Sequence, residues 1–290
     1  MMKTQKIKDK ILVTGGAGFI GFNLCKKLVE NSNNDVYSLD NYFTGSEQNH
    51  VEGVTYIKGN TKNIDKLIYF TPSIIYHLGE YSRVEQSFEE IELVIEFNKL
   101  GTFAVLEFVR KRNCKIIYAG SSTKFATYDE KNNSLSPYSW SKASNTDLVN
   151  NYASWFDINY AITYFYNAYG PGEIKTGKYA TLIAIFQNQK ENNLPLTVVS
   201  PGTQKRNFTH VYDIVNGLIL LGEKGYGDGF GIGSSKTYEI IEVAKMFDCK
   251  IKFLPERKGN RMNSELIIDN TKKLGWEAKY DLELYIQNIK

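Results

Sequence analysis

The segment Thr14-Gly15-Gly16-Ala17-Gly18-Phe19-Ile20-Gly21 constrains the fold more than any other feature of the chain. It follows a short apolar run at residues 11–13 and opens a stretch, 19–30, with helical spacing. Glycines at Gly15, Gly18 and Gly21 permit a tight turn and a close helix–strand contact. They also let a pyrophosphate approach the backbone, with the first N–H groups of the helix facing it. A plain strand-to-helix turn could use the same glycines, so context decides. The next apolar run ends in Ser38-Leu39-Asp40, with Asp40 19 residues beyond Gly21. A carboxylate at that place accepts hydrogen bonds from the adenosine ribose and repels a 2′-phosphate. No Lys or Arg occurs between residues 28 and 57 to receive such a phosphate. The alternative for Asp40 is a carboxylate that only closes a turn. The expected cofactor is NAD, not NADP.

Apolar runs at 11–13, 36–39, 54–57, 74–77 and 115–119 read as strands. Helical spacing between them covers 19–30 and a long segment, about 84–111, in which Ile91, Val94, Ile95, Phe97, Phe103, Leu106 and Val109 form a broad apolar surface. Strand–helix alternation implies an α/β fold: a Rossmann-type, doubly wound parallel sheet with right-handed crossovers. Near residue 167 the texture changes to a loop with Gly170, Pro171, Gly172 and Gly177, followed by shorter elements. The expected organisation is an NAD-binding domain at 1–166. A smaller, mainly substrate-binding lobe at 167–290 is interleaved with late elements of the sheet.

With 290 residues, 42% of them hydrophobic, the chain can bury a sizeable core. Its formal charge of +3 gives no electrostatic argument for nucleic acid or an anionic membrane. No apolar run approaches the roughly 18 residues a spanning helix requires. Three scattered cysteines, Cys25, Cys114 and Cys249, suit reduced thiols in the cytoplasm, and three distant histidines give no metal-ligand spacing.

Tyr138-Ser139-Trp140-Ser141-Lys142 places a phenol and an ammonium four residues apart, on one face of a helix that Pro137 would start. A phenol, with an ordinary pKa of about 10, is a poor base at neutral pH, and an adjacent cation favours its phenolate. Taken alone, the pair is equally a solvated surface contact. It gains meaning from Tyr118-Ala119-Gly120-Ser121-Ser122-Thr123, which ends a strand 17 residues upstream, where open α/β sheets bind ligands.

These motifs resemble, nearly end to end, the extended short-chain dehydrogenase/reductases of the NAD-dependent nucleotide-sugar epimerase/dehydratase group, most of all the UDP-glucose 4-epimerase branch. The resemblance rests on TGGAGFIG (14–21), LDN (39–41), YHLGE (76–80), YAGSS (118–122), YSWSK (138–142), YNAYGPG (166–172), KRNFTHVYD (205–213) and LGW (274–276). It implies that Tyr138 is the catalytic base, that Lys142 activates it and holds the nicotinamide ribose, and that Ser121 bonds the reacting sugar oxygen. Phe19, Ile20, Asn41, Leu78 and Gly79 join Gly15, Gly18, Gly21 and Asp40 at the cofactor. Asn60 stands where an aspartate commonly touches adenine. For the substrate it implies Asn167, with Arg206 and Arg257 on the diphosphate, as suits forked guanidinium groups. Asn260 replaces the usual acidic residue at the uridine ribose.

Glu80 departs from the family pattern, which has a small residue there. It would lie near a cofactor phosphate or turn away to pair with Arg83. A 4,6-dehydratase needs an acid–base carboxylate pair after the catalytic Ser/Thr, and this chain has Ser122 and Thr123. The reading that follows is epimerisation of a UDP-hexose at C4 through a transient 4-keto sugar. The alternatives are a nucleotide-ketosugar reductase using exchangeable NADH and a non-catalytic NAD-binding protein. A homodimer is expected through the long helix and the Tyr138 helix, with Phe97, Phe103, Val105 and Trp140 as apolar surface.

Overall fold

The computed structural model describes residues 8–125, 136–255 and 265–289. The five expected strands are present as β1 (Asp9–Thr14), β2 (Asn34–Asp40), β3 (Val54–Lys58), β4 (Ile74–His77) and β5 (Lys115–Ser121). Two more, β6 (Tyr160–Phe165) and β7 (Gly227–Ile232), complete a seven-stranded sheet in the order β7-β6-β5-β4-β1-β2-β3. All its pairings are parallel. Because β1 lies between β2 and β4, the winding reverses there, and a crevice opens at the carboxyl edge. The register sets Thr14 beside Leu39 and His77, and His77 beside Tyr118. The turns after β1, β2, β4 and β5 therefore emerge together.

The main helices are α1 (Phe19–Val29), α2 (Ile91–Val94, continuing through Ile95–Leu100 and Gly101–Arg112), α3 (Pro137–Phe156), α4 (Leu182–Glu191) and α5 (Val211–Lys224). They cover both faces of the sheet, which is why its central strands are apolar runs instead of alternating ones. Ile11 and Val13 pack with Leu24 and Leu28 of α1 and Leu218 and Leu221 of α5. Leu12 points the other way, into a layer with Leu106 and Val109 of α2 and Val149 and Tyr152 of α3. The long helix begins at Ile91, later than the spacing suggested, because Phe88 is the only apolar residue between Val84 and Ile91. Its middle, Ile95–Leu100, is a π-helical stretch. There the Asn98 amide bonds the backbone of Tyr81, accepting from its N–H at 2.6 Å and donating to its carbonyl at 3.1 Å. Side-chain insertion of this kind is a known cause of irregular helix winding.

Past Tyr169 a second core forms from Ile183 and Phe186 of α4 with Leu196, Val198, Phe208, Val243, Phe247, Leu282 and Ile286. The same part of the chain also returns to the sheet through α5 and β7. Two distant motifs lock this return. The buried Asp213 accepts from the N–H groups of Lys279 and Tyr280, each at 3.0 Å, and its carbonyl accepts from Trp276 Nε1 at 2.9 Å. Trp276 lies in the core beside α5. Truncating a buried tryptophan costs about 3–5 kcal/mol, so Trp276→Ala should lower unfolding stability by that order in a denaturant titration. A midpoint within error of wild type would contradict the proposed lock.

Candidate active site

The glycine turn is closed by contacts that no side chain could share. Gly15 sits at φ +74°, and a Cβ there would lie 2.9 Å from the Cα of Gly79. A Cβ on Gly21 would come within 2.0 Å of the Gly15 carbonyl oxygen. The N-cap of α1 is Gly18, which has no side chain to cap the helix, so the first-turn N–H groups remain for an anion. Asp40 ties this turn to the loop after β2: Oδ2 accepts from Ala17 N at 2.9 Å and Oδ1 from Tyr42 N at 2.8 Å. Burial raises the Asp40 carboxyl above its ordinary range against the pull of those N–H bonds. Further donors such as ribose hydroxyls would favour its charged form.

Gly15, Gly18, Phe19, Ile20, Gly21, Asp40, Asn41, Leu78 and Gly79 line one cavity of about 640 Å³ together with Ser121, Tyr138, Lys142, Asn167 and Arg206. Residues from five sheet edges and turns thus meet in a single space. Asn60 stands outside it. Its carboxamide oxygen caps a turn by accepting from Lys62 N at 3.0 Å, and its Nδ2 donates to Glu96 at 3.1 Å. Arg257 and Asn260 lie outside the described residues. Asn167 is held by donation from Nδ2 to the Asn207 carbonyl at 3.0 Å, and Arg206 by donation to the Lys205 carbonyl at 2.8 Å.

The candidate catalytic residues converge at the end of β5 and the start of α3. Ser136 caps α3 by accepting from Ser139 N at 3.1 Å, and Pro137 occupies the first turn, as expected. This sets Tyr138 and Lys142 on the face toward β5. The Tyr138 hydroxyl donates to Ser121 Oγ at 3.2 Å, and Thr123 Oγ1 donates to the same oxygen at 2.9 Å. Lys142 Nζ donates to the Ala119 carbonyl at 2.5 Å and forms an ion pair with Glu80. The expected pairing of Glu80 with Arg83 is therefore corrected, while Glu80 does line the cavity beside Gly79. Its partner is the lysine of the YxxxK motif, while Arg83 donates through Nε and Nη2 to the carbonyl of Tyr179. The reason is topological: Glu80 follows β4, the neighbour of β5, and so its side chain meets α3 under the cavity.

A polar network behind Glu80 escaped the sequence reading. Glu80 Oε1 accepts from Thr102 at 2.7 Å, Asn145 at 2.9 Å and Tyr118 at 3.3 Å. Thr102 Oγ1 also meets His77 Nε2 at 3.0 Å, and His77 Nδ1 meets Thr14 Oγ1 at 2.7 Å. The chain of contacts runs from Lys142 to the residue preceding the glycine turn. Burial alone would raise the Glu80 carboxyl, yet Lys142, His77 and the hydrogen bonds from Lys142 and Thr102 hold it below its ordinary value. The available signal was a polar series, Asn98, Thr102 and Asn145, at helix positions that face the core.

The model of the NAD dependent epimerase/dehydratase family matches residues 11–233. The chain belongs to this family. It is 32% identical to a putative UDP-glucose 4-epimerase of Methanocaldococcus jannaschii, covering 96% of each chain. It is also 29% identical to UDP-glucuronic acid decarboxylase 6 of Arabidopsis thaliana, covering 94% of this chain and 85% of that one. Among solved structures, UDP-glucose 4-epimerase of Thermotoga maritima with UDP-glucose superposes with a TM-score of 0.87 at 26% identity, covering 96% of both chains. The family's cofactor is NAD, and the glycine cradle and Asp40 fit it: the close glycine contacts leave backbone exposed where a pyrophosphate would lie. Among the described residues, no group of His, Cys, Asp and Glu is placed to hold a metal ion. No helix among them is long and apolar enough to cross a membrane.

Asp40 should set the choice of dinucleotide. Titration of the purified protein should find tighter binding of NAD than of NADP, and Asp40→Ala should weaken NAD and narrow that difference. Tighter NADP binding by the wild type would contradict this role.

Proposed function

We propose that the protein interconverts C4 epimers of a nucleotide-diphosphate hexose, of the UDP-glucose or UDP-N-acetylglucosamine type. The observation that carries the reading is the Ser121–Tyr138–Lys142 set beside Ser122 and Thr123, both of them neutral and both lining the cavity. Bound NAD supplies a reversible hydride acceptor at this place. Tyr138 is positioned to take the proton of the sugar 4-hydroxyl, and Ser121, already bonded to the phenol, to hold the same oxygen. Lys142, fixed from behind by Glu80 and the Ala119 carbonyl, is assigned to the nicotinamide ribose. With no carboxylate at 122 or 123 to drive loss of the 6-hydroxyl, the 4-keto sugar keeps its substituents and receives its proton back from Tyr138. Arg206 and Arg257 are assigned to the diphosphate and Asn167 to the sugar, so binding is concentrated on groups that do not react. Asn260 is assigned to the nucleoside ribose. Substrate binding is assigned mainly to the segment 167–290. The free cysteines, two of them buried, accord with a cytoplasmic setting.

Decarboxylation of a UDP-uronic acid is the second reading, favoured by similarity to the plant decarboxylase. Thr123 stands against it, since decarboxylases of the family typically carry glutamate at that position.

The test is incubation of catalytic amounts of protein with UDP-glucose, UDP-N-acetylglucosamine or UDP-glucuronic acid, without added dinucleotide, followed by NMR of the anomeric protons. A mixture of gluco and galacto forms is expected. A 4-keto-6-deoxy sugar or a pentose would refute epimerisation, and a strict need for stoichiometric NADH would point to a reductase. Tyr138→Phe should retain fold and NAD binding while losing turnover by orders of magnitude. A residual rate above about a tenth corresponds to only about 1.4 kcal/mol of barrier and would remove Tyr138 from its role.

A homodimer through α2 and α3 accords with the half-exposed Ile91, Leu100 and Phe103 on the first helix and Trp140 on the second. Two residues expected at that surface are wholly or partly taken up inside. Val105 is fully buried against the sheet, and Phe97 packs in a cluster with Phe43 and Tyr81. Light scattering at micromolar concentration should give twice the chain mass, and Phe103→Glu should reduce it. A monomeric wild type would contradict the dimer.

A further inference from the structure

The Glu80–Lys142 pair is among the most deeply placed charges in the molecule, with side chains 1% and 6% exposed. An ammonium has three N–H groups. Here one goes to Glu80 and one to the Ala119 carbonyl, which leaves the third for the cavity that Lys142 lines. The opposite side of Glu80 is saturated by Thr102, Asn145 and Tyr118, so the carboxylate cannot turn away from the lysine. Other titratable and charged groups also face the pair or the cavity. His77 is kept neutral by burial, which lowers it to about 4. Lys99, whose ammonium senses Glu80, is bound to Ser144 at 2.9 Å and Asn145 at 2.8 Å and is not among the residues lining the cavity. Arg83, which lines the cavity, is held by the Tyr179 carbonyl. The charge contributed by the pair is thus minus one plus one, or zero, where a lysine alone would contribute a full positive charge.

The two forms of the cofactor differ in charge at their reactive ring: the oxidised nicotinamide is cationic and the reduced ring neutral. An uncompensated ammonium beside that ring penalises only the oxidised form. We propose that Glu80 is a positioning residue that pins Lys142 and cancels its charge at the redox end of the NAD site, so that the protein favours the oxidised dinucleotide over the reduced one. This rests on the family's use of NAD and not on which sugar is turned over. A reaction that begins and ends on oxidised cofactor is served by such a bias, because the resting protein stays ready for the next substrate.

The experiment compares the holoprotein with Glu80→Gln, Lys142→Met and the double variant. Each is equilibrated with NAD⁺/NADH mixtures of fixed ratio and freed of unbound dinucleotide, and the reduced fraction retained is read by absorbance. The pair's charge is zero in wild type, +1 in Glu80→Gln, −1 in Lys142→Met and zero in the double variant. The preference for NAD⁺ should fall at least tenfold in Glu80→Gln, the factor that one unit charge gives at about 12 Å and an effective dielectric constant near 20. It should rise by a similar factor in Lys142→Met and return to about the wild-type value in the double variant. A purely structural Glu80 would weaken both forms equally and leave the ratio unmoved. A ratio within about twofold of wild type in Glu80→Gln or Lys142→Met overturns the proposal. Should either single variant fail to fold, because removing one partner of a buried pair is strongly destabilising, the other single variant and the charge-neutral double variant decide the matter. A failure of epimerase activity would leave this binding ratio untouched, so the two proposals fail separately.

Discussion

The cavity depends on two backbones that touch. Gly15 and Gly79 meet where the winding of the sheet reverses, at a separation that excludes a Cβ. Thr14 and His77, the residues just before this contact, lie in register at the ends of β1 and β4. Their side chains bond to each other, and Thr14 Oγ1 also accepts from the N–H groups of Leu78 and Gly79. This seam opens the crevice while keeping its two walls at a fixed spacing. One wall carries the glycine turn and Asp40; the other carries Glu80 and, through it, α3.

The second dependency is electrostatic. A buried ion pair is costly to desolvate and repays that cost only when its remaining hydrogen bonds are satisfied. The Glu80–Lys142 pair meets the condition, with three donors on the carboxylate beside the lysine and a backbone carbonyl on the ammonium. The result is a rigid base for Tyr138 and Ser121, whose mutual hydrogen bond is itself buried. Positioning of this kind favours catalysis because the reacting groups need not be ordered when substrate arrives.

Much of this was legible in the sequence, and the limits have physical causes. The strands β1, β2, β4 and β5 are apolar runs because a parallel sheet covered on both faces leaves them no polar side. β7 was not legible. Its sequence, Gly-Asp-Gly-Phe-Gly-Ile, carries three glycines and no strand pattern, and its extended form comes from pairing with β6. The glycine turn, Asp40, Ser121, Tyr138 and Lys142 could be found because each belongs to a short local motif. Glu80 could be singled out as unusual but not placed. Its partner lies 62 residues away, a separation that no periodicity encodes. Phe97 and Val105 illustrate a further limit: helical spacing identifies apolar positions but not which of them an inner layer takes up.

The central claim is that a site with neutral hydroxyls at 122 and 123 oxidises a hexose at C4 and restores it without further chemistry. The most direct measurement follows deuterium placed at C4 of the nucleotide hexose, in ordinary water and with no added dinucleotide. The account predicts that both C4 epimers appear and that the label stays at C4 in each. Inversion accompanied by loss of deuterium to water would contradict it, since that outcome requires proton abstraction from carbon and not transient oxidation at C4.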